Sequence, residues 1–226
     1  MRLNADFDQR AVVLPGEHSW VPSPVPGVTR MMLDRVGGEV ARATSLVRYA
    51  ADSEFPGHTH GGGEEILVLE GEFADEHGSY PAGSYIRNPI GTAHTPRVGP
   101  QGATIFVKLH QFDPDDTEQK VVDTRLGEWL PGLVDGLTVM PLHEFASPLG
   151  GEHVALVRWA PNTQFNEHGH FGGEEILVLE GEFHDEHGVY PAGSWIRSPH
   201  QSRHRPFTRE QGALIYVKTG HLVPPV

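Results

Sequence analysis

The chain has 226 residues, 38% of them hydrophobic, with 30 Asp+Glu against 17 Lys+Arg and a formal net charge of −13. That balance argues against nucleic acid or an anionic membrane as the main partner, because phosphate binding needs a basic field. There is no cysteine, which excludes disulfides, thiolate zinc sites and thiol redox chemistry, and 27 Gly with 19 Pro are too many for a helical protein.

The N-terminal residues lack the apolar core of a signal peptide, and no apolar run approaches the roughly 18 residues of a membrane span, so a cytoplasmic protein is expected. A proline-dense segment follows, Trp20-Val-Pro-Ser-Pro-Val-Pro-Gly27, whose extended path predicts that Trp20 anchors an arm onto a sheet. Ala41 to Ala50 and His153 to Ala160 read as short strands leading into histidine pairs. Arg48 and Arg158 on those strands admit two roles, an anionic-ligand contact or a surface position; Lys108 and Lys218 are open in the same way.

Next comes His58-Thr-His60-Gly-Gly-Gly-Glu64-Glu65-Ile-Leu-Val-Leu-Glu70-Gly71-Glu72-Phe73, and it recurs as His168-Gly-His170-Phe-Gly-Gly-Glu174-Glu175-Ile-Leu-Val-Leu-Glu180-Gly181-Glu182-Phe183, a shift of 168 − 58 = 110 positions. Within each copy the Glu-Gly pair predicts a tight turn between two strands. Asp75-Glu-His77-Gly78 predicts another turn, and His77, His184 and His187 are expected on the surface. His94 and His204 keep the 110-residue shift. The weaker echo of Trp20 at Trp129 extends the duplication over almost the whole chain, with the joint near Asp113 to Thr117. Two domains, 1–115 and 116–226, are the expectation.

The chemistry follows from residue type and spacing. Residues i and i+2 of a strand share a face, so His58 and His60 put two rings about 7 Å apart on one side. Glycines let the chain bend before Glu64, and a neighbouring strand can supply His94. Adjacent Glu65 and Glu175 should point the other way, leaving Glu64 and Glu174 with the histidines. Three imidazoles and a carboxylate suit a divalent transition metal such as Fe, Zn, Mn, Ni or Co. The predicted metal ligands are therefore His58, His60, Glu64 and His94 in one set, and His168, His170, Glu174 and His204 in the other. His200 lies near the expected rim.

These residues resemble the cupin superfamily. His58, His60, Glu64 and Gly71 match its first motif, and Gly83, Pro89, Gly91 and His94 its second; His168, His170, Glu174, Gly181, Gly193, Pro199 and His204 match again, with Gln201 in place of a glycine. In detail the chain is similar to the ChrR-type cupin group and to acetylacetone-cleaving dioxygenases. The resemblance implies an all-β chain of two tandem cupin barrels (jelly roll, double-stranded β-helix). It also implies a metal-dependent dioxygenase or oxidoreductase acting on a small molecule, or a ChrR-like sensor of oxidants or ligands in transcriptional stress regulation. Without the cysteine-bearing zinc domain of ChrR anti-sigma factors, direct sigma-factor binding is not expected. Ile66 to Leu69 and Ile176 to Leu179 are apolar on both faces, which suits covered strands and leaves a homodimer open.

Overall fold

The computed structural model describes residues 1–147 and 150–223. Apart from a 3-10 turn at Pro15–Glu17, its regular structure is β-strand throughout, as the short β-branched runs between glycines and prolines require. The described chain forms two compact units, one of residues 1–5 and 19–127, the other of the described residues from 6–18 and from 128 onward.

In the first unit the sheet runs Arg2–Leu3, Val28–Gly37, Ala41–Tyr49, Arg97–Leu109, Glu64–Ala74, Ser84–Asn88 and Lys120–Asp123, and a separate ribbon pairs His58–Thr59 with Ala93–His94. The second unit repeats the last six strands of this order with Leu137–Ser147, Gly150–Trp159, Phe207–Thr219, Glu174–Asp185, Trp195–Ser198 and Ala11–Val13; Leu130–Pro131 pairs with the first of these as Val21–Pro22 pairs with Val28–Gly37, and the second ribbon pairs His168–His170 with Ser202–His204. The closing strand of each sheet thus comes from the leader of the other repeat. Val122 pairs with Tyr85 and Val13 with Trp195, so the first unit extends past residue 115 to Gly127 and the second reclaims residues 6–18. Sequence order placed the joint at 115/116, but strand pairing decides membership.

One expected turn is absent. Glu64–Ala74 and Glu174–Asp185 each run on through the Glu-Gly pair as one strand. Gly71 has φ +70°, and a Cβ there would lie 2.0 Å from the Gly102 carbonyl oxygen; the glycine therefore accommodates an irregular register against Arg97–Leu109 instead of reversing the chain.

Inside the first unit Val47, Ile66, Val68, Phe73, Ile86, Ile105 and Val107 form the core, and Ile176, Val178, Phe183, Ile196 and Ile215 do so in the second, with half-buried Val157 packed against them. Leu67 and Phe106 on the opposite face are also buried, in line with the two-sided apolar strand pattern. No described helix is long and apolar enough to cross a membrane.

Candidate metal centres

Each ribbon faces the start of the long strand that carries the glutamate. In the first unit His58 opposes His94 across the ribbon, and Glu64 opens its strand two residues after Gly62. A Cβ at Gly62 would strike the His110 ring at 2.3 Å, and one at Gly63 the Phe112 ring at 2.3 Å, so these glycines let the following segment pack close behind the glutamate. The result brings one ligand atom of His58, His60, Glu64 and His94 within 4.8 Å of the others, and likewise for His168, His170, Glu174 and His204.

The tautomers are fixed from behind. His58 Nδ1 lies 3.2 Å from the Pro56 carbonyl and His94 Nδ1 3.2 Å from Asp75 Oδ2, both of which can only accept a proton. His60 Nδ1 is 2.9 Å from Thr92 Oγ1; that hydroxyl already donates to the Pro89 carbonyl at 2.7 Å, so it accepts from His60. All three Nε2 lone pairs are left facing the centre.

Do these atoms fit a metal? Ligands about 2.1 Å from one ion stand about 3.0 Å apart at right angles and about 3.4 Å apart in a tetrahedron. His60 Nε2 and His94 Nε2 lie 3.2 and 3.5 Å from Glu64 Oε2; in the second unit His170 Nε2 is 3.1 Å from His204 Nε2 and 3.5 Å from Glu174 Oε1. His60 Nε2, His94 Nε2 and Glu174 Oε2 are buried without a hydrogen-bond partner. Buried polar atoms are normally satisfied, and an ion at each focus would satisfy the two nitrogens of the first cluster and the carboxylate oxygen of the second. Both clusters could hold a divalent metal.

Electrostatics distinguish the two. Burial alone would raise the Glu64 carboxyl, but the His60 and His94 rings and the Asn88 amide outweigh it and hold Glu64 below the usual value. Burial raises Glu174, where no amide donates. Burial lowers His94 and His168, and takes His170 down to about 3. His204 is raised: burial opposes its charge, yet Asp185 and Glu174 prevail. Burial likewise works against Asp185, but His204 and Arg10 hold it at about 2.

Behind the rings lies an aromatic wall. Tyr49 packs on Phe55 and Phe73, and Phe73 on His94 at 5.9 Å; Trp159 packs on Phe183 at 5.5 Å, and Phe165 on His168 at 4.8 Å. His58 is exposed and His168 half-buried, so each cluster opens to solvent on that side.

The remaining residues singled out in the sequence fall elsewhere. Glu65 is buried and salt-bridged to Arg87 at 2.7 Å, and Glu175 accepts from Trp195 Nε1 at 2.8 Å, both turned away from the clusters. Arg48 and Arg158 are exposed and stack on Trp20 and Trp129 at 3.9 and 4.3 Å; they are the seats of the two arms. Lys108 and Lys218 are fully buried, hydrogen-bonded to Thr44 and paired with Glu152. His77 and His187 are exposed, but His184 is buried and stacked on Phe207, a correction to its expected surface position. His200 accepts the Gly172 N–H at 2.9 Å and sits edge-on to exposed Phe171. Sequence reasoning missed Asp75, Asp185, Asn88 and Thr92. The signal for the aspartates was there: Asp-Glu-His-Gly recurs unchanged at 75–78 and 185–188, as the ligands do.

A family model described as the ChrR cupin-like domain matches residues 8–113 and again 117–223. The chain belongs to this cupin family. A 60-residue stretch of the cupin is 40% identical to the anti-sigma-E factor ChrR of Cereibacter sphaeroides, spanning 26% of this chain and only 28% of that protein. Among solved structures, a candidate dioxygenase from Nostoc punctiforme superposes with a TM-score of 0.74 at 16% identity, over 97% of this chain and 85% of its own. A point variant of Bacillus subtilis oxalate decarboxylase does so with 0.64 at 12% identity, over 93% and 77%. These two likenesses are of fold.

Proposed function

We propose that this bicupin is a metal-dependent oxidoreductase, of dioxygenase type, acting on a small molecule. The observation that carries the reading is the convergence of three Nε2 lone pairs and a carboxylate oxygen on one point, open to solvent beside His58 and walled by Tyr49, Phe55 and Phe73. A redox-active ion such as Fe(II), held by His58, His60, Glu64 and His94, would supply electron transfer to oxygen and leave positions for a chelating substrate.

The chain's own residues do the rest. Asp75, Thr92 and the Pro56 carbonyl keep each ring in the ligating tautomer, so no proton need leave Nε2 when the ion arrives. The lowered Glu64 carboxyl remains an anion near neutral pH, offsetting cationic charge in a buried place. The aromatic wall excludes water on the barrel side and gives a planar organic molecule an apolar surface.

The segment similar to ChrR favours a second reading, in which the metal cupin senses oxidants or a ligand without turnover. Oxygen uptake separates the two. The metal-free protein, loaded anaerobically with Fe(II), should consume oxygen only when one member of a panel of diketones and phenols is added. A bound metal with no uptake across the panel, under Fe, Mn, Ni or Zn loading, would replace the oxidoreductase with the sensor.

A further inference from the structure

The two clusters share their ligands but not what stands behind them. Register places Asn88 directly opposite Glu64, and Ser198 directly opposite Glu174. Asn88 is buried and its Nδ2 donates to Glu64 Oε2 at 3.2 Å, while Gln119 reaches the Asn88 carbonyl at 3.4 Å. The serine is too short for this, and Glu174 Oε2 is buried without a hydrogen-bond partner, with His204 Nε2 standing 3.5 Å from it.

Two further positions diverge in the same sense. Thr92 Oγ1 accepts from His60; its counterpart Ser202 has a buried hydroxyl with no hydrogen-bond partner. Asp75 Oδ2 stands 3.2 Å from His94 Nδ1, whereas Asp185 Oδ2 is taken by Arg10 at 2.6 Å and lies 3.6 Å from His204 Nδ1. Arg10 also donates to the Tyr190 hydroxyl at 2.8 Å. The fourth ligand serves as a control, because His58 and His168 are both held by a backbone carbonyl, of Pro56 and Asn166, at 3.2 and 3.0 Å.

From this we infer that the N-terminal centre takes up metal first and more tightly, with Asn88, Thr92 and Asp75 as its positioning residues. This rests on the reading of both clusters as metal centres. A ligand already held in its bound orientation gives up less freedom on binding, and loss of one such supporting partner typically weakens metal affinity about 10- to 100-fold. Glu174, by contrast, has to be oriented by the ion itself, and His204 shares its aspartate with an arginine. The C-terminal centre is the one that empties when metal is scarce.

Co(II) alone tests this. Its affinity and d–d absorption are measured by chelator competition on the full chain and on two single-centre variants. His168→Ala/His170→Ala leaves the N-terminal centre, and His58→Ala/His60→Ala the C-terminal one. The expected result is at least about ten-fold tighter binding at the N-terminal centre, and sequential filling of the wild type. Asn88→Ser should bring the N-terminal affinity toward that of the other site and shift its absorption band, a ligand-field change that a fold defect elsewhere would not produce. The reciprocal Ser198→Asn should tighten the C-terminal centre, so the inference does not depend on Asn88→Ser folding well. Equal affinities, or the C-terminal centre filling first, would overturn the inference and leave the metal reading intact. Binding at neither centre would overturn both.

Discussion

Asp75→Asn changes one atom and should disable one ligand. Asp75 Oδ1 accepts three hydrogen bonds, from the backbone N–H of His77 at 2.8 Å, that of Gly78 at 3.1 Å and the Tyr80 hydroxyl at 3.0 Å; Oδ2 takes His94 Nδ1. An asparagine that keeps its carbonyl on those three donors must turn its NH₂ to His94. The opposite flip would preserve one bond at the expense of three, so the first orientation wins by roughly 2 kcal/mol at about 1 kcal/mol per bond. His94 Nδ1–H then faces a donor, and the ring relieves this by moving its proton to Nε2, where the metal should bind. We expect metal affinity at the N-terminal centre to fall about 10- to 100-fold, or about 1.4–2.7 kcal/mol. The assay is Co(II) titration in the His168→Ala/His170→Ala background, with circular dichroism to confirm that the fold persists. Affinity unchanged within about two-fold would refute the assignment of Asp75 as the residue that sets the His94 tautomer.

Other predictions bear on the fold. Arg87 is fully buried between Glu65 at 2.7 Å and Asp116 at 2.5 Å and stacks on Phe112; Arg87→Met removes the cation shared by two buried carboxylates and should lower stability by about 3–5 kcal/mol in denaturant melts. Gly71→Ala should lose at least about 2 kcal/mol from its positive φ and the collision with Gly102, whereas Gly99→Ala, with nothing within 4 Å, should stay within about 0.5 kcal/mol by the same melts. His170 falls to about 3 when folded, so between the ordinary histidine value and 3 the unfolded chain binds the extra proton. The metal-free protein should therefore lose stability as pH drops through that window, and His170→Gln should flatten the loss in a pH series of melts. Asp185, held at about 2, adds a further loss as pH falls from the ordinary aspartate range down toward 2.

The eight cluster residues were legible because the strand period and glycine spacing act locally, and because duplication printed the pattern twice. Glu65 and Glu175 could be set aside by the same alternation. The Glu-Gly pair misled because a left-handed glycine serves a bulge as readily as a turn, and only the partner strand at Gly102 decides between them. Exchange of the leader strands was hidden for a similar reason: Val12 and Val121 look alike in sequence, and pairing with Ile196 and Ile86 depends on chain segments far away. Lys108 and Lys218 read as ambiguous because a lysine's burial depends on cross-strand partners that sequence does not order. Asn88 escaped notice because nothing marks a strand asparagine until register sets it against Glu64.

The central claim is that both histidine–glutamate clusters bind metal, and elemental analysis tests it most directly. Protein purified without an affinity tag should carry close to two transition-metal ions per chain after loading, and close to one in each of the His58→Ala/His60→Ala and His168→Ala/His170→Ala variants. Metal content that stays near zero in the wild type, or does not fall in the variants, would contradict the account.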